Sequence, residues 1–500
     1  MDVANRNTHC IPRHPDGAHS SPAVRPVVFS NSHYSPAQPP RLAFTPDNPA
    51  QAHRHPFLDD GNLKAFGQSV WEHDLTYSVS NSLILETGDN ADQIHISQSR
   101  PGQLDVRVNG QLYCFDSEDQ DGQPLTFHLK THDGDDKVRI DANVRQPITV
   151  DAGDGNDQVR AGGGDTRLFG GAGNDQLRLG SGLGYAEGND GDDMIFGGSG
   201  DSVIYGNEGN DRIYAGAGPK GKSSYVDGGR GDDRLYAGNG HTVLHGGAGD
   251  DCLIGHDRTT FYTGDGSDTI IANRPGDLIY AQSSDAIKRL NGSVLTTVTT
   301  DHSPLSGFAI KGSTAFIQRV EDDLALLRSS PQGQQMLAEI NAIAQRNGAP
   351  VALVEDLLDT GSGYTYGSQE LKSLLQHERP PVVGDDPKWG FLVDGVPGSQ
   401  ADRAEITYNR SSLGVLAGVT YSPITMLYHE MVHAYNGGNG TALAGSTTEV
   451  FEGSSVEVSN SELQSVGLPT TPETPANPKP FTENAFNEEM GMPLRTHYLG

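Results

Sequence analysis

The sequence predicts a multidomain protein: a disordered N-terminus, an all-β solenoid of the parallel β-roll kind, and a C-terminal α+β domain. Three observations lead there. The N-terminal stretch is crowded with Pro, Ser, His and Asn. A glycine–aspartate nonapeptide recurs through the middle. Past residue 285 the repeat glycines give way to helix-length amphipathic stretches. The expected boundaries are 1–75, 76–285 and 286–500.

Composition narrows the function classes. The 500 residues include 63 Gly, only 34% hydrophobic residues and a formal net charge of −30. Such a chain repels phosphates, which argues against nucleic acid as a partner, and it favours divalent cations. Cys10, Cys114 and Cys252 are too few and too scattered for a disulfide framework or a thiolate zinc site. No apolar run is long enough to span a membrane, and no apolar h-region marks a Sec signal peptide.

Taken in order, the segment 1–75 has too little apolar surface to offset its ordering entropy, so disorder is expected. Strand-like alternation follows in 82–97 and 104–115, with Asn109-Gly110 as a hairpin turn. The repeats come next, in the form GGxGxDxUx with U a large apolar residue: 170–178, 188–196, 206–214, 228–236 and 246–254, with weaker copies at 132–140, 152–160 and 263–271. The loop aspartate steps by 18 residues through Asp157, Asp175, Asp193 and Asp211, and again from Asp233 to Asp251. Eighteen residues are two nonapeptides, one full turn of a β-roll, so these aspartates should form a column on one edge and hold Ca²⁺ with loop carbonyls. The intervening half-repeats place Thr166, Ser202 and Thr242 where the aspartate would be, so the opposite edge should be largely without metal. The array resembles the RTX-type calcium-binding repeats.

In the C-terminal region 317–348 reads as two helices joined at Ser329-Ser330-Pro331 and stopped by Gly348, while 351–359 and 404–411 read as strands. The chemistry concentrates in 422–438. Ser422 is a candidate N-cap, Pro423 suits the first helical position, and Gly437-Gly438 should end the helix. Inside it, His429 and His433 lie four apart on one helical face, where both can ligate one Zn²⁺. Glu430 is placed to take the proton of a water beside them. A catalytic zinc normally takes a third protein ligand. Spacing alone leaves Glu449, Glu452, Glu457, Glu462, Glu483, Glu488 and Glu489 open. A strand beside such a helix can grip a substrate backbone by edge pairing, and Glu405 to Asn409 is the candidate.

Residues from about 310 onward resemble the NleD-like zinc metallopeptidases, bacterial effectors delivered by type III secretion. The resemblance is carried by YHEMVHAY (428–435), SELQSVGLP (461–469) and FTENAFNEEMGMPLRTHY (481–498). It implies a zincin-like fold, with His429, His433 and Glu462 as zinc ligands, Glu483 as the fallback, and Glu430 as general base. Similarity to clostridial neurotoxin light chains extends this to Arg495 and Tyr498 as the pair that stabilises the tetrahedral intermediate. Ser461 departs from the family pattern, where a second acid usually stands, and so does Asn487, where a basic residue is common.

The expected protein is therefore a secreted zinc metalloendopeptidase with Zn²⁺ and Ca²⁺ as cofactors. It should be a monomer without a membrane span, delivered into a host cell to cut a host protein, with a signalling kinase as the substrate the resemblance suggests. The alternative is a calcium-dependent adhesin with an inactive peptidase-like domain. Repeats in the middle and the catalytic motif at the end favour type III over type I export.

Overall fold

The computed structural model describes residues 26–30, 50–72, 80–119, 122–288, 292–357, 361–369, 371, 386–416, 419–451, 453–471, 474 and 477–498. Most of the segment expected to be disordered lies outside them. The remainder requires a correction: Ala50–Asp59 and Lys64–Glu72 are strands, paired antiparallel to each other, and the second pairs with Ser80–Glu86. Leu63, Ala65 and Val70 are buried, so this hairpin closes the N-terminal end of the solenoid core with its few apolar residues.

Among the described residues the solenoid is a β-roll of two 13-stranded sheets facing each other. One sheet is built from three-residue strands such as Gln158–Arg160 and Gln176–Arg178, exposed–buried–exposed, with the apolar U position at the centre. Val159, Leu177, Ile195, Ile213, Leu235, Leu253 and Ile270 thus form an inner column against Val150, Leu168, Ile204, Val226 and Leu244 of the longer strands. Each such side chain contributes about 1.5–3 kcal/mol by burial. Parallel register steps by 18 residues through most of the roll, as in Gln158↔Gln176; it shortens to 17 at Cys252↔Thr269 and lengthens at Lys137↔Gln158 and, most of all, at Ser202↔Ser224. The extra residues there bury Lys222, whose Nζ donates to Gly198 O at 2.9 Å and to Ala215 O on the edge that lacks the aspartate column. Burial lowers its pKa to about 8. The expected end of the roll at 285 also moves, because Ala286–Ile287 and Val294–Thr297 still extend the two sheets.

The C-terminal domain begins with Phe308–Lys311 and two helices, α1 (Thr314–Ser329) and α2 (Pro331–Asn347). The Ser330 hydroxyl caps α2 by accepting from Gly333 N, Pro331 opens it, and Gly348 ends it at φ 83°, as expected. The four-stranded sheet runs Phe308–Lys311, Val351–Glu355, Glu405–Tyr408, Gly363–Thr365, with the last strand antiparallel. Glu405–Tyr408 is therefore an inner strand, and the edge proposed for it belongs to Gly363–Thr365 instead.

The motif helix, α3 (Pro423–Asn439), starts after Ser422 but runs through the glycines expected to stop it, and ends on Gly440 at φ 67°. Gly437 and Gly438 serve packing: a Cβ on Gly437 would collide with the Tyr364 hydroxyl and one on Gly438 with Ile343. The hairpin Ser446–Phe451 and Ser454–Ser459 leads into α4 (Asn460–Val466), and α5 (Glu483–Glu489) follows near the end of the described residues.

The two parts share one core. Two outward columns on the longer-stranded sheet, Tyr185–Val203–Tyr225–Val243 and Glu187–Tyr205–Asp227–His245–Tyr262, are covered by the C-terminal domain. At their centre Arg319 of α1 is fully buried, 2.8 Å from Asp323 and 3.7 Å from Glu187, with its guanidinium 3.1 Å from the Tyr205 ring centre. Arg410 reaches Glu187 at 2.7 Å, and Asn207 donates to Asp322 at 2.9 Å.

Candidate metal centres

The aspartate column forms as the 18-residue step requires. Each aspartate amide donates to Oδ1 of the aspartate one turn on: Asp157 to Asp175 at 2.8 Å, Asp175 to Asp193 at 2.7 Å, Asp193 to Asp211 at 2.8 Å, Asp211 to Asp233 at 2.7 Å, and Asp233 to Asp251 at 2.8 Å. The other oxygen, Oδ2, of every one of these residues is buried without a hydrogen-bond partner. A Cβ on Gly170 would collide with Asp175 Oδ2 and come 2.6 Å from Gly188 O, so a carboxylate oxygen and a carbonyl of the next turn converge on space only glycine leaves open. The same cradle recurs at Gly188, Gly206, Gly228 and Gly246 with Asp193, Asp211, Asp233 and Asp251. Oxygen donors, unsatisfied buried charge and open space fit Ca²⁺. Asp157 differs, because Ala152 holds the register position of Gly170 and puts a methyl where later turns keep space. Burial raises these carboxyls, Asp211 to about 7, Asp251 to about 8 and Asp233 to about 10.

The second centre lies on α3. His429 Nε2, His433 Nε2 and Glu462 Oε2 form a triangle with all three edges 3.1 Å. A tetrahedral ion with bonds of about 2.0–2.1 Å spaces its ligand atoms by roughly 3.3–3.4 Å, so the triangle is close to a zinc face. Glu462 arrives on the first turn of α4, across from the histidines. The Oε2 of Glu483, on α5, accepts from the other nitrogen of His429, Nδ1, at 2.9 Å. This places Glu483 behind the histidine and outside the triangle, where it fixes tautomer and ring orientation. It also supplies, from a different helix, a carboxylate that Ser461 does not.

Electrostatics agree. Burial alone would lower the His429 pKa, yet hydrogen bonds to Glu462 and Glu483 push it up to about 10, so the site favours positive charge. Glu462 is held well below the usual carboxylate range; burial opposes this, and His429 and His433 outweigh it. Glu430 is buried and its pKa is raised by desolvation, which makes it the more basic carboxylate of the group.

Arg495 and Tyr498 are brought to the site in unequal ways. Tyr498 Oη lies 3.0 Å from Glu462 Oε2, at the triangle. Its backbone N donates to Glu449 Oε2 at 2.9 Å, a contact that nothing in the sequence singled out. Arg495 is buried, donates from Nη1 to Glu483 Oε2 at 2.9 Å, and donates from Nη2 to the Tyr498 carbonyl. Its backbone is clamped by Asn484 through two hydrogen bonds of 2.8 and 2.9 Å. Tyr364, from the edge strand, lies with its ring centre 6.0 Å from that of His433.

A helix-borne His-Glu-x-x-His faced by a carboxylate, beneath a mixed sheet, is the arrangement of a peptidase domain. Residues 305–498 match the model of the M91 peptidase family, described as an effector protein. Residues 149–183, 187–219 and 225–257 match the RTX calcium-binding nonapeptide repeat. The protein thus carries an effector peptidase domain preceded by calcium-binding repeats, which points to secretion. No curated protein matches the chain. The turns bearing Asp136 and Asp268 lie outside the repeat matches yet continue the same hydrogen-bonded column.

Proposed function

We propose that the protein is a secreted effector zinc metalloendopeptidase acting on a protein of a host cell. The observation that carries this reading is the 3.1 Å triangle of His429, His433 and Glu462 with Glu430 beside it. In this reading His429, His433 and Glu462 hold Zn²⁺. When bound, the ion supplies Lewis-acid polarisation of a scissile carbonyl and acidifies a water. Glu430 accepts the proton of the attacking water and returns it to the leaving amine, a task its raised pKa suits. Tyr498 donates a hydrogen bond from its hydroxyl to the developing oxyanion. Arg495 serves by holding Glu483, and through it His429, in place. The roll takes about residues 50–300 and the peptidase 305–498. The resemblance favours a host signalling kinase as substrate. Asp175, Asp193, Asp211, Asp233 and Asp251 hold Ca²⁺.

The test is metal analysis of the full-length protein, because a fragment starting near 286 would expose the interface around Arg319. One zinc per wild-type chain, much reduced in Glu462→Ala, is the expected result. A folded wild type that binds no zinc would remove the enzyme reading and leave the calcium-dependent adhesin.

A further inference from the structure

The helix behind the metal site is also tied to the calcium roll. α5 is seven residues long, roughly 10 Å at 1.5 Å per residue. Its first residue, Glu483, holds His429 Nδ1. Its last, Glu489, is buried, and Oε1 accepts from the Tyr262 hydroxyl of the roll at 3.0 Å while Oε2 accepts from Gln332 N of α2 at 2.8 Å. Two more roll side chains bind the same helix end: Tyr280 donates to Glu489 O at 3.1 Å and Thr260 to Met490 O at 2.8 Å. Between the two ends Phe486 stacks on Tyr428 of α3, ring centres 4.4 Å apart, so the helix is seated against the ligand-bearing one.

The roll side of this contact leads directly into a calcium cradle. Tyr262 lies on Arg258–Asp265, and the carbonyl of the very next residue, Thr263, borders the open space at Gly246 together with Asp251 Oδ2. One peptide unit therefore separates a cradle oxygen from the residue that grips α5. A buried carboxylate spends desolvation energy that an apolar residue would not, and Glu489 recovers it through two oriented hydrogen bonds that specify where the helix end sits.

We infer that Glu489 and Tyr262 are positioning residues for the metal site, and that calcium on the Asp251 turn sets the zinc affinity of the peptidase by fixing α5. The inference rests on the zinc reading above. Calcium draws Thr263 O and Asp251 Oδ2 to one ion, which stiffens the strand carrying Thr260 and Tyr262. That strand holds Glu489 and Met490, and α5 then presents Glu483 to His429 in one orientation. Without calcium the same contacts are looser and His429 is less well oriented. The loss to be expected is that of an outer-shell partner, about tenfold in metal affinity.

The experiment uses the full-length protein, stripped of metal and held in calcium-free buffer. Zinc affinity is measured by competition with a chromogenic chelator, with and without saturating calcium, for wild type, Tyr262→Phe and Glu489→Ala. Tyr262→Phe removes one hydroxyl and keeps the ring stacked on Tyr280, so it tests the idea even if Glu489→Ala does not fold. Calcium should strengthen wild-type zinc binding about tenfold, and Tyr262→Phe should remove that response while its calorimetric calcium stoichiometry stays at the wild-type value. Zinc affinity indifferent to calcium in the wild type, or an undiminished response in Tyr262→Phe, would overturn the coupling and leave the zinc site intact. Absence of zinc binding in the wild type would instead remove the reading on which it rests.

Discussion

Asp233→Asn should reverse the sign of its effect on stability according to calcium. Burial, with the neighbouring charges of Asp211 and Asp251, raises the Asp233 carboxyl to about 10 from 3.8. A carboxyl raised on folding gives its full stability below its unfolded pKa and loses it as pH climbs toward the folded value. At pH 7 the loss spans about three pH units, about 4 kcal/mol at 1.36 kcal/mol per unit. The aspartates titrate as a coupled column that shares its protons, so the substitution recovers about half of this, roughly 2 kcal/mol. Asparagine keeps the Oδ1 that accepts from Asp211 N and never ionises. In calcium-free buffer with zinc saturating, Asp233→Asn should therefore melt about 2 °C above wild type at pH 7, with no difference near pH 4. With calcium at a hundred times its dissociation constant, the lost site removes about 2.7 kcal/mol and the variant should melt lower. The assay is differential scanning calorimetry at both pH values, with and without calcium. A variant destabilised in calcium-free buffer at pH 7, or equal to wild type in calcium, would refute the column as a stack of buried carboxylates awaiting a cation.

Three further expectations follow from the same geometry. Arg319→Ala removes the guanidinium paired with buried Asp323, while Glu187 keeps Arg410, and should cost about 3–5 kcal/mol in denaturant unfolding; a change below about 1 kcal/mol would mean that Asp323 is already neutral. Glu483→Gln should weaken zinc binding by about tenfold in chelator competition without changing stoichiometry, whereas loss of the zinc altogether would make it a ligand. Ala152→Gly opens the cradle at Asp157 and should add one calcium per chain in calorimetric titration; unchanged stoichiometry would show that the methyl is not what distinguishes that turn.

Much of the fold is legible in the sequence because its signals are local. The nonapeptide fixes backbone conformation, apolar position and step at once, so register and core of the roll follow from counting to 18. His429, Glu430 and His433 are legible for the same reason, since four residues make one helical turn. Glu462 and Glu483 are not separable by spacing, because their distances from His429 depend on how α4 and α5 pack, which no local period encodes. The two errors on the motif helix and its neighbouring strand have a similar origin. Gly437 looks like a stop because glycine usually is one, but the constraint comes from Tyr364, 73 residues away. Glu405–Tyr408 looks like an edge because the strand that covers it, Gly363–Thr365, is too short to announce itself.

The interface between roll and peptidase also leaves a mark in the sequence. In a free-standing roll the outward positions of each strand meet water and should be polar, yet this chain spends Tyr185, Val203, Tyr205, Tyr225, Val243 and Tyr262 there, at steps of 17 to 22 residues. Interleaved with them are Glu187, Asp227 and His245, acids and an imidazole at sites where burial is expensive. Neither set makes sense for calcium binding, which uses the loops, or for the roll core, which uses the inward residues. Both make sense once α1 supplies Arg319 and α5 supplies Glu489 from outside. A partner with its own folding signal, such as a separate protein, could be left and rejoined. Here the covering surface includes Arg319, fully buried between roll and peptidase beside Glu187 of the roll, and separation would break that contact and expose the tyrosine columns to water. The repeats are therefore part of the enzyme's folded body, and a variant that unfolds the roll should take the His429 site with it in a single transition.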